Sequence, residues 1–430
     1  MKIRTEFNIK KAFKNILFIT SSILSVSNVY AAPLEQIKEV VTKDQSAYLE
    51  TLKGLVNIES GSKDWVGVNQ ISELIAAHLK KMDVDVSIIQ PKKQESLEAT
   101  IEKTGPIVKG ILKGNGTRNI MLLAHSDTVY QQGQLKDQPF RIEKNKVYGL
   151  GILDDKQGVA AVIHIVKALK ELNYKDYGML TIVINSDEEI SSPGSREFIT
   201  NIAKNQDAVF SFESGSIDGR LMLATSGIGA AYLDITGKAS HAGVKPEAGV
   251  NALTELAYQI GQMQDLSNPN TGLKLNWTIA NAGKTRNVIP DLATAQADVR
   301  SLKNQDFIQL DKTLQQRVKN KKLKESDVKI KLEVRRPPLE ETNQAKKLAN
   351  LAQNIYKSEL NLPMLIQTEA WGGGTDAAFA GLQSKAAIIE GMGMSGDGLH
   401  SDKDEFILLD SIVPRLYLAT RLIMEVSKQK

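Results

Sequence analysis

The ten residues Gly149 to Gly158, GLGILDDKQG, put two adjacent carboxylates between a glycine-bearing turn and a long helical pattern. A carboxylate offered at the mouth of a helix can hold two cations at once, one through each oxygen, and Asp154 is the natural centre for such a pair. The other residues able to ligate a metal, His125, Glu189, Glu213 and His400, are scattered along the chain. Histidine and carboxylate ligands without sulfur suit zinc in a site that keeps positions open for water. A bridging Asp154, with His125 and Glu213 on one ion and Glu189 and His400 on the other, would fix two zinc ions at roughly 3.5 to 4 Å. Asp127, two residues from His125, is spaced to hydrogen-bond the second ring nitrogen and set the tautomer. Glu188 is left without a metal and is free to take a proton from water and return it to a leaving nitrogen. An acidic pair alone is more often a solvated surface feature, so the weight rests on the set.

These residues need a scaffold that gathers them. Ile120 to Ala124, Thr181 to Asn185, Ala208 to Phe212 and Ala386 to Ile389 are apolar runs, as expected for strands covered on both faces. The first three lead directly into His125, Ser186-Asp187-Glu188-Glu189 and Glu213; the fourth precedes a glycine-rich loop ending in His400. Ligands collect outside the carboxyl ends of strands in open α/β sheets. Helical patterns at Leu34 to Ile58, Asn69 to Met82, Lys156 to Leu172, Ser195 to Lys204 and Leu409 to Val426 complete a doubly wound α/β fold. Val84 to Gln90 and Ile107 to Lys113 alternate like strands, and Gly114-Asn115-Gly116 is expected to turn the second back against Asn119 to Ala124 as a hairpin.

From Ser226 the pattern becomes strand, helix, strand, strand, helix, strand: Ile228 to Gly237, Asn251 to Met263, Leu275 to Asn281, Ala293 to Ser301, Phe307 to Val318 and Val328 to Arg335. This order predicts an inserted α+β sandwich of ferredoxin-like type. The expected division is 32–225 and 338–430 for the catalytic domain and 226–337 for the insertion, with Pro337-Pro338 at the exit.

At 430 residues, 42% hydrophobic and 24% charged, the chain is long enough for two cores. A basic lead, an apolar stretch from Ile16 to Val26 and a small-residue exit read residues 1–31 as a secretory signal peptide, with the periplasm or the exterior as destination. Removing it takes away five basic residues and Glu6 and leaves 49 of each sign, so no basic excess argues for nucleic acid. No membrane partner is expected after signal removal. The absence of cysteine excludes disulfides, thiolate metal sites and a cysteine nucleophile. Of the five histidines, His78 and His164 fall within helical runs and read as structural or surface residues, whereas His125, His241 and His400 fall in loops.

The blocks AHSDTV, GLGILDDKQG, SDEEISSPGS, SFESG, ASHAG and GLHSDKDEF, in this order, resemble the co-catalytic di-zinc carboxypeptidase and aminoacylase family across essentially the whole mature chain. The likeness is greatest to its bacterial glutamate carboxypeptidases of the carboxypeptidase G type, which cleave glutamate from folates. The resemblance implies the metal and base roles assigned above. It further implies that His241, on the inserted domain, stabilises the oxyanion in a partner subunit's site. It assigns Asn287 and Arg300 to substrate contact, Gly373, Gly374 and Thr375 to the pocket for the substrate's free carboxylate, and Arg336, or Arg335 beside it, to that carboxylate. It implies a homodimer formed through the insertion, acting on N-acyl amino acids or peptides. An aminoacylase or dipeptidase with another side-chain preference, and a metal-retaining binding protein without catalysis, are the competing readings.

Overall fold

The computed structural model describes residues 34–91, 94–95, 100–101, 103–370 and 372–429. The signal peptide expected over 1–31 lies outside them. In chain order the principal elements begin with α1 (34–56), α2 (Trp65–Lys80), β1 (Asp85–Ile89), β2 (Ile107–Lys113), β3 (Asn119–His125), α3 (Gln157–Glu171), β4 (Met179–Asn185), α4 (Arg196–Ala203) and β5 (Ala208–Ser211). There follow β6 (Gly227–Thr236), α5 (Ala252–Gly261), β7 (Lys274–Ala282), β8 (Leu292–Ser301), α6 (Asn304–Arg317) and β9 (Asp327–Arg336). The chain closes with α7 (Asn343–Leu360), α8 (Ala377–Gly381), β10 (Ala387–Ile389) and α9 (Ile412–Ser427).

The main sheet has the order β1-β2-β4-β3-β5-β10. Strands β4, β3, β5 and β10 are parallel neighbours, while β1 pairs β2 and β2 pairs β4 in antiparallel fashion. Both faces of β3 are covered, which explains its unbroken apolar run. Ile120 and Leu122 enter the core shared with α1, α3 and α9. Met121 and Leu123 enter a second core with α4 and α8 on the other face.

The expected hairpin between β2 and β3 is not formed, because β4 lies between them. The glycine turn instead holds the approach to β4. Gly114 N donates to Gly178 O and Gly116 N to Tyr177 O, both at 2.9 Å. A Cβ at Gly116 would fall 1.6 Å from Asp176 O, so close backbone approach, not hairpin geometry, is what glycine serves there. The two buried strands β3 and β4 satisfy each other, and the more exposed β2 is displaced outward.

Residues 227–336 build a four-stranded antiparallel sheet of order β7-β8-β6-β9, the arrangement expected of a ferredoxin-like βαββαβ unit. Ala231, Leu233 and Ile235 alternate inward from β6 and pack with Leu256 of α5 and Phe307, Leu310 and Leu314 of α6 in a core of their own. A two-residue ribbon pairs Ser240 with Ile289 and His241 with Val288.

A smaller sheet, not foreseen from the sequence, matters most for the site. Phe406–Leu408 pairs antiparallel with Lys146–Tyr148, with Phe406 opposite Tyr148, and Gly396–Asp397 pairs with Phe406–Leu408 on its other edge. This clasps the loop carrying His400 to the turn that begins at Gly149.

Candidate metal centre and active site

The carboxyl ends of β3, β4 and β5 deliver His125, Glu188-Glu189 and Glu213 to one point, and the small sheet brings Asp154 and His400 there. His125 Nε2 lies 2.9 Å from Asp154 Oδ1, and His400 Nε2 lies 3.1 Å from Asp154 Oδ2. Each imidazole therefore addresses a different oxygen of one carboxylate. Glu213 Oε1 is 3.4 Å from His125 Nε2 and Glu189 Oε2 is 3.4 Å from His400 Nε2. Ligand atoms of His125, Glu188 and Glu213 fall within 4.8 Å of one another, as do those of Asp154, Glu189 and His400.

Burial gives this cluster its electrostatics. It pushes Glu189 up to about 7, helped by the Asp154 charge, and raises Glu213 and Glu188 above the usual carboxylate range. Burial also acts to raise Asp154, but hydrogen bonds from the two imidazoles outweigh it and hold the group below that range. Hydrogen bonds to Asp154 and Glu189 push His400 up to about 10. Carboxylates crowded out of water repel one another and are relieved by cations. Glu189 Oε1 is buried with no hydrogen-bond partner among the described residues. An unused acid oxygen in a nitrogen and oxygen donor set fits a divalent metal.

Asp127 does more than the expected orientation of His125. His125 Nδ1 lies 3.3 Å from Asp127 Oδ1 and 3.2 Å from its carbonyl oxygen. The same carboxylate accepts from Glu188 N at 3.1 Å, Glu189 N at 3.2 Å and the Ser62 hydroxyl at 2.7 Å. It thus fixes the histidine and the Glu188-Glu189 turn together.

Three buried acids that the sequence reading left without roles hold the frame. Glu405 accepts from Leu153 N at 2.7 Å and Asp154 N at 3.0 Å through one oxygen, and from Gly151 N at 2.9 Å and Tyr130 Oη at 2.6 Å through the other. Asp155 accepts from His125 N at 3.3 Å and Gln157 Nε2 at 2.8 Å. Asp187 accepts from Gly194 N at 2.6 Å and Ser195 N at 3.2 Å, closing the turn after β4. The signal available for Glu405 was its place just before the apolar run Phe406 to Leu408.

A cavity of 330 Å³ opens on the cluster, walled by Asp154, Glu188, Glu189, Glu213 and His400 and by Gly373, Gly374 and Thr375. Thr375 Oγ1 donates to buried Glu390 Oε2 at 2.6 Å. Arg336, at the end of β9, is buried and ion-paired to Glu188, and also donates to Glu188 O and Gly374 O at 2.6 Å each. A Cβ at Gly374 would fall 2.7 Å from Ser226 O and 3.0 Å from Arg336 Cδ, so glycine is what lets the loop reach the guanidinium. Arg300 pairs with Asp298 and reaches Gly372 O at 3.4 Å.

His241 and Asn287 sit apart from this cluster and beside each other. Ala242 N donates to Asn287 O at 2.9 Å, and both residues are exposed on the insertion's ribbon. His241 Nδ1 accepts from Gly243 N and Val244 N at 3.1 Å each. A neutral imidazole with an accepting Nδ1 carries its proton on Nε2, so the outward atom is a donor. His164 is buried against Asp44 and Thr51 and His78 is half-buried, and neither belongs to the two ligand clusters.

The model of Peptidase family M20/M25/M40 matches residues 121–425 of the chain. Carboxypeptidase G2 of Pseudomonas sp. (strain RS-16) is 41% identical over 416 residues, covering 95% of this chain and 98% of that protein. The chain belongs to peptidase family M20/M25/M40. It is a metallo-carboxypeptidase of that family, and the two ligand clusters around Asp154 are its candidate metal sites. Solved M20-type folds agree with the architecture. Aminopeptidase PepT from Bacillus cereus superposes with a TM-score of 0.71 at 20% identity, covering 89% of this chain and 99% of that one. An M20 family metallo-carboxypeptidase from Sulfolobus solfataricus superposes with a TM-score of 0.68 at 15% identity, covering 89% and 99%.

Proposed function

We propose that the protein is an exported two-zinc carboxypeptidase that hydrolyses the amide bond to a C-terminal glutamate in N-acyl, peptide or folate-like substrates. The observation that carries this reading is the approach of His125 and His400 to opposite oxygens of Asp154, at 2.9 and 3.1 Å. The likeness to carboxypeptidase G2 supports the glutamate preference. Asp154 would serve both ions, His125 and Glu213 would hold one, and Glu189 and His400 would hold the other. Divalent ions held there would lower the pKa of a bound water and polarise the scissile carbonyl.

The chain's own residues do the rest. Glu188 takes a proton from the attacking water and hands it to the amide nitrogen as the C–N bond breaks, giving a carboxylic acid and free glutamate. Its pairing with Arg336 holds the carboxyl in place beside the ligands, and we assign Arg336 to a substrate carboxylate seated over Gly373, Gly374 and Thr375. The Nε2 proton of His241 is offered to the oxyanion, and Asn287 and Arg300 contact the amino-acid half. Because His241 and Asn287 share an exposed ribbon, the reading places them in the site of a partner subunit in a homodimer. In domain terms, 32–225 and 338–430 carry the chemistry and 226–337 reaches across, after residues 1–31 direct export.

Metal analysis of the dialysed mature protein, together with glutamate release from N-acylglutamates and folates, tests the proposal. Two equivalents of zinc and loss of turnover in Glu188→Ala are expected. Full activity in Glu188→Ala would refute the assigned base, and equal rates on N-acyl-leucine and N-acylglutamate would defeat the glutamate preference. A monomer in sedimentation equilibrium would defeat the shared site.

A further inference from the structure

Arg415, on α9, is a buried arginine with no acid to answer it. Its Nη1 donates to Gly391 O at 3.3 Å, and its Cζ lies 5.8 Å from the Tyr356 ring centroid. Among the described residues Nη2 has no hydrogen-bond partner and no carboxylate pairs with the guanidinium. Arginine is almost never fully buried unpaired, because a charge taken out of water is costly without a counter-charge. The surroundings of Nη2 say where that counter-charge is missing. The loop that follows Glu213 lies directly on it: a Cβ at Gly215 would fall 2.3 Å from Nη2, and one at Gly219 3.3 Å. Glycine at 215 is what lets the backbone rest on the cation. Its neighbours Ser214 and Ser216 wall the 330 Å³ cavity over the metal ligands, so a single layer of backbone separates Nη2 from that cavity. The loop is pinned in place by Gly215 N donating to Met394 O at 3.2 Å and Gly396 N to Ser216 O at 3.3 Å. Nearby charges are engaged elsewhere. Glu390 accepts from Thr375 Oγ1 at 2.6 Å and from Gly391 N at 2.9 Å, while Arg336, Arg300 and Arg220 already face Glu188, Asp298 and Asp218.

We propose that Arg415 is a specificity-determining residue, whose uncompensated charge beneath Gly215 favours an amino-acid half with a side-chain carboxylate seated over Ser214 and Ser216. The inference rests on the glutamate carboxypeptidase reading and supplies a cation that reading lacks. A glutamyl half brings a main-chain and a side-chain carboxylate, and Arg336, assigned to one of them, is already shared with Glu188. Through protein of low dielectric a buried charge acts across several ångströms with little screening by salt, so Arg415 does not need to touch the anion. It attracts the charged side chain and is indifferent to a neutral one of the same shape.

The test compares N-benzoylglutamate with N-benzoylglutamine, which differ by one charge at nearly equal volume, in the zinc-loaded full-length mature protein. The wild type should favour the glutamate compound. Arg415→Met should lower the glutamate-to-glutamine ratio of kcat/KM about tenfold, through KM for the glutamate compound and with zinc content unchanged. Arg415→Gln, which retains a donor for Gly391 O, reads the same loss if the methionine variant does not fold. Arg415→Lys keeps the charge and should hold the ratio within about threefold, which upholds the proposal even where neither neutral variant folds. An unchanged ratio in a folded neutral variant, an equal fall on both compounds, or a collapse of the ratio in Arg415→Lys would each overturn it. Equal wild-type rates on the two compounds would instead sink the glutamate reading. A wild-type preference that survives the loss of Arg415 sinks this inference alone.

Discussion

The cluster around Asp154 and the ribbon carrying His241 are built in opposite ways. Around Asp154, three of the five stretches that supply side chains are locked by buried acids that accept backbone N–H groups: Asp127 on the Glu188-Glu189 turn, Asp155 on His125, Glu405 on the turn of Asp154 itself. On the ribbon, His241 and Asn287 are exposed, and among the described residues the bonds of the His241 side chain stay within its own turn. A buried frame fixes geometry and leaves no freedom to close on a substrate. An exposed ribbon can be delivered by a second body and withdrawn.

The strongest break of this contrast is at the centre. Asp154→Ala removes the carboxylate between the two histidines and should abolish both metal retention and turnover. Glu188→Ala should retain metal yet lose at least about 10³-fold in kcat. Metal content by mass spectrometry alongside kcat separates the two; a Glu188→Ala protein that loses its metal would move Glu188 into the ligand set.

On the ribbon, His241→Ala should lower kcat about 10²–10³-fold with metal content and thermal unfolding unchanged. Mixing His241→Ala with Glu188→Ala sharpens the comparison. If the histidine serves a partner's centre, reassociated mixtures should recover up to roughly a quarter of wild-type activity through mixed dimers with one complete site. No recovery after proven subunit exchange would return His241 to its own chain's site.

A smaller effect is expected one layer behind the ligands. Glu405→Gln keeps an acceptor but loses the charge shared among Leu153 N, Asp154 N, Gly151 N and the Tyr130 hydroxyl. Zinc affinity measured by competition with a chelator should weaken about 10- to 100-fold. Unchanged affinity would mean that the small sheet joining Phe406 to Tyr148 is enough to hold Asp154.

The contrast also accounts for what could be read from residues alone. Strands covered on both faces must be unbroken apolar runs, so β3, β4 and β5 announced themselves, and the polar stretch that follows each held a candidate ligand. The insertion was legible because the alternation of β6 and β8 and the helical spacing of α5 and α6 are local periodicities. What was not legible depends on partners far along the chain. Nothing local says that Glu405 accepts from Leu153 and Asp154, or that Arg336 ends on Glu188. The turn at Gly114 to Gly116 misled for a related reason: its glycines fit a hairpin locally, while strand order is decided by which buried runs need each other.

The least effect is expected at Asp64, where the buried frame meets exposed surface. Its carboxylate caps α2 through Val66 N and Gly67 N, both at 3.1 Å. Asp64→Ala leaves two amides at the helix start to water and should cost about 1 kcal/mol of stability, measurable as a lowered midpoint in urea unfolding. Ser62 donates to Asp127 and to Thr128 O through bonds that do not involve the Asp64 side chain, so metal binding should not change. Trp65, the first residue of α2, depends on that cap for its position. A lowered urea midpoint in Asp64→Ala with unchanged zinc affinity would show the two regions separating along this boundary; loss of zinc would show that they are one frame.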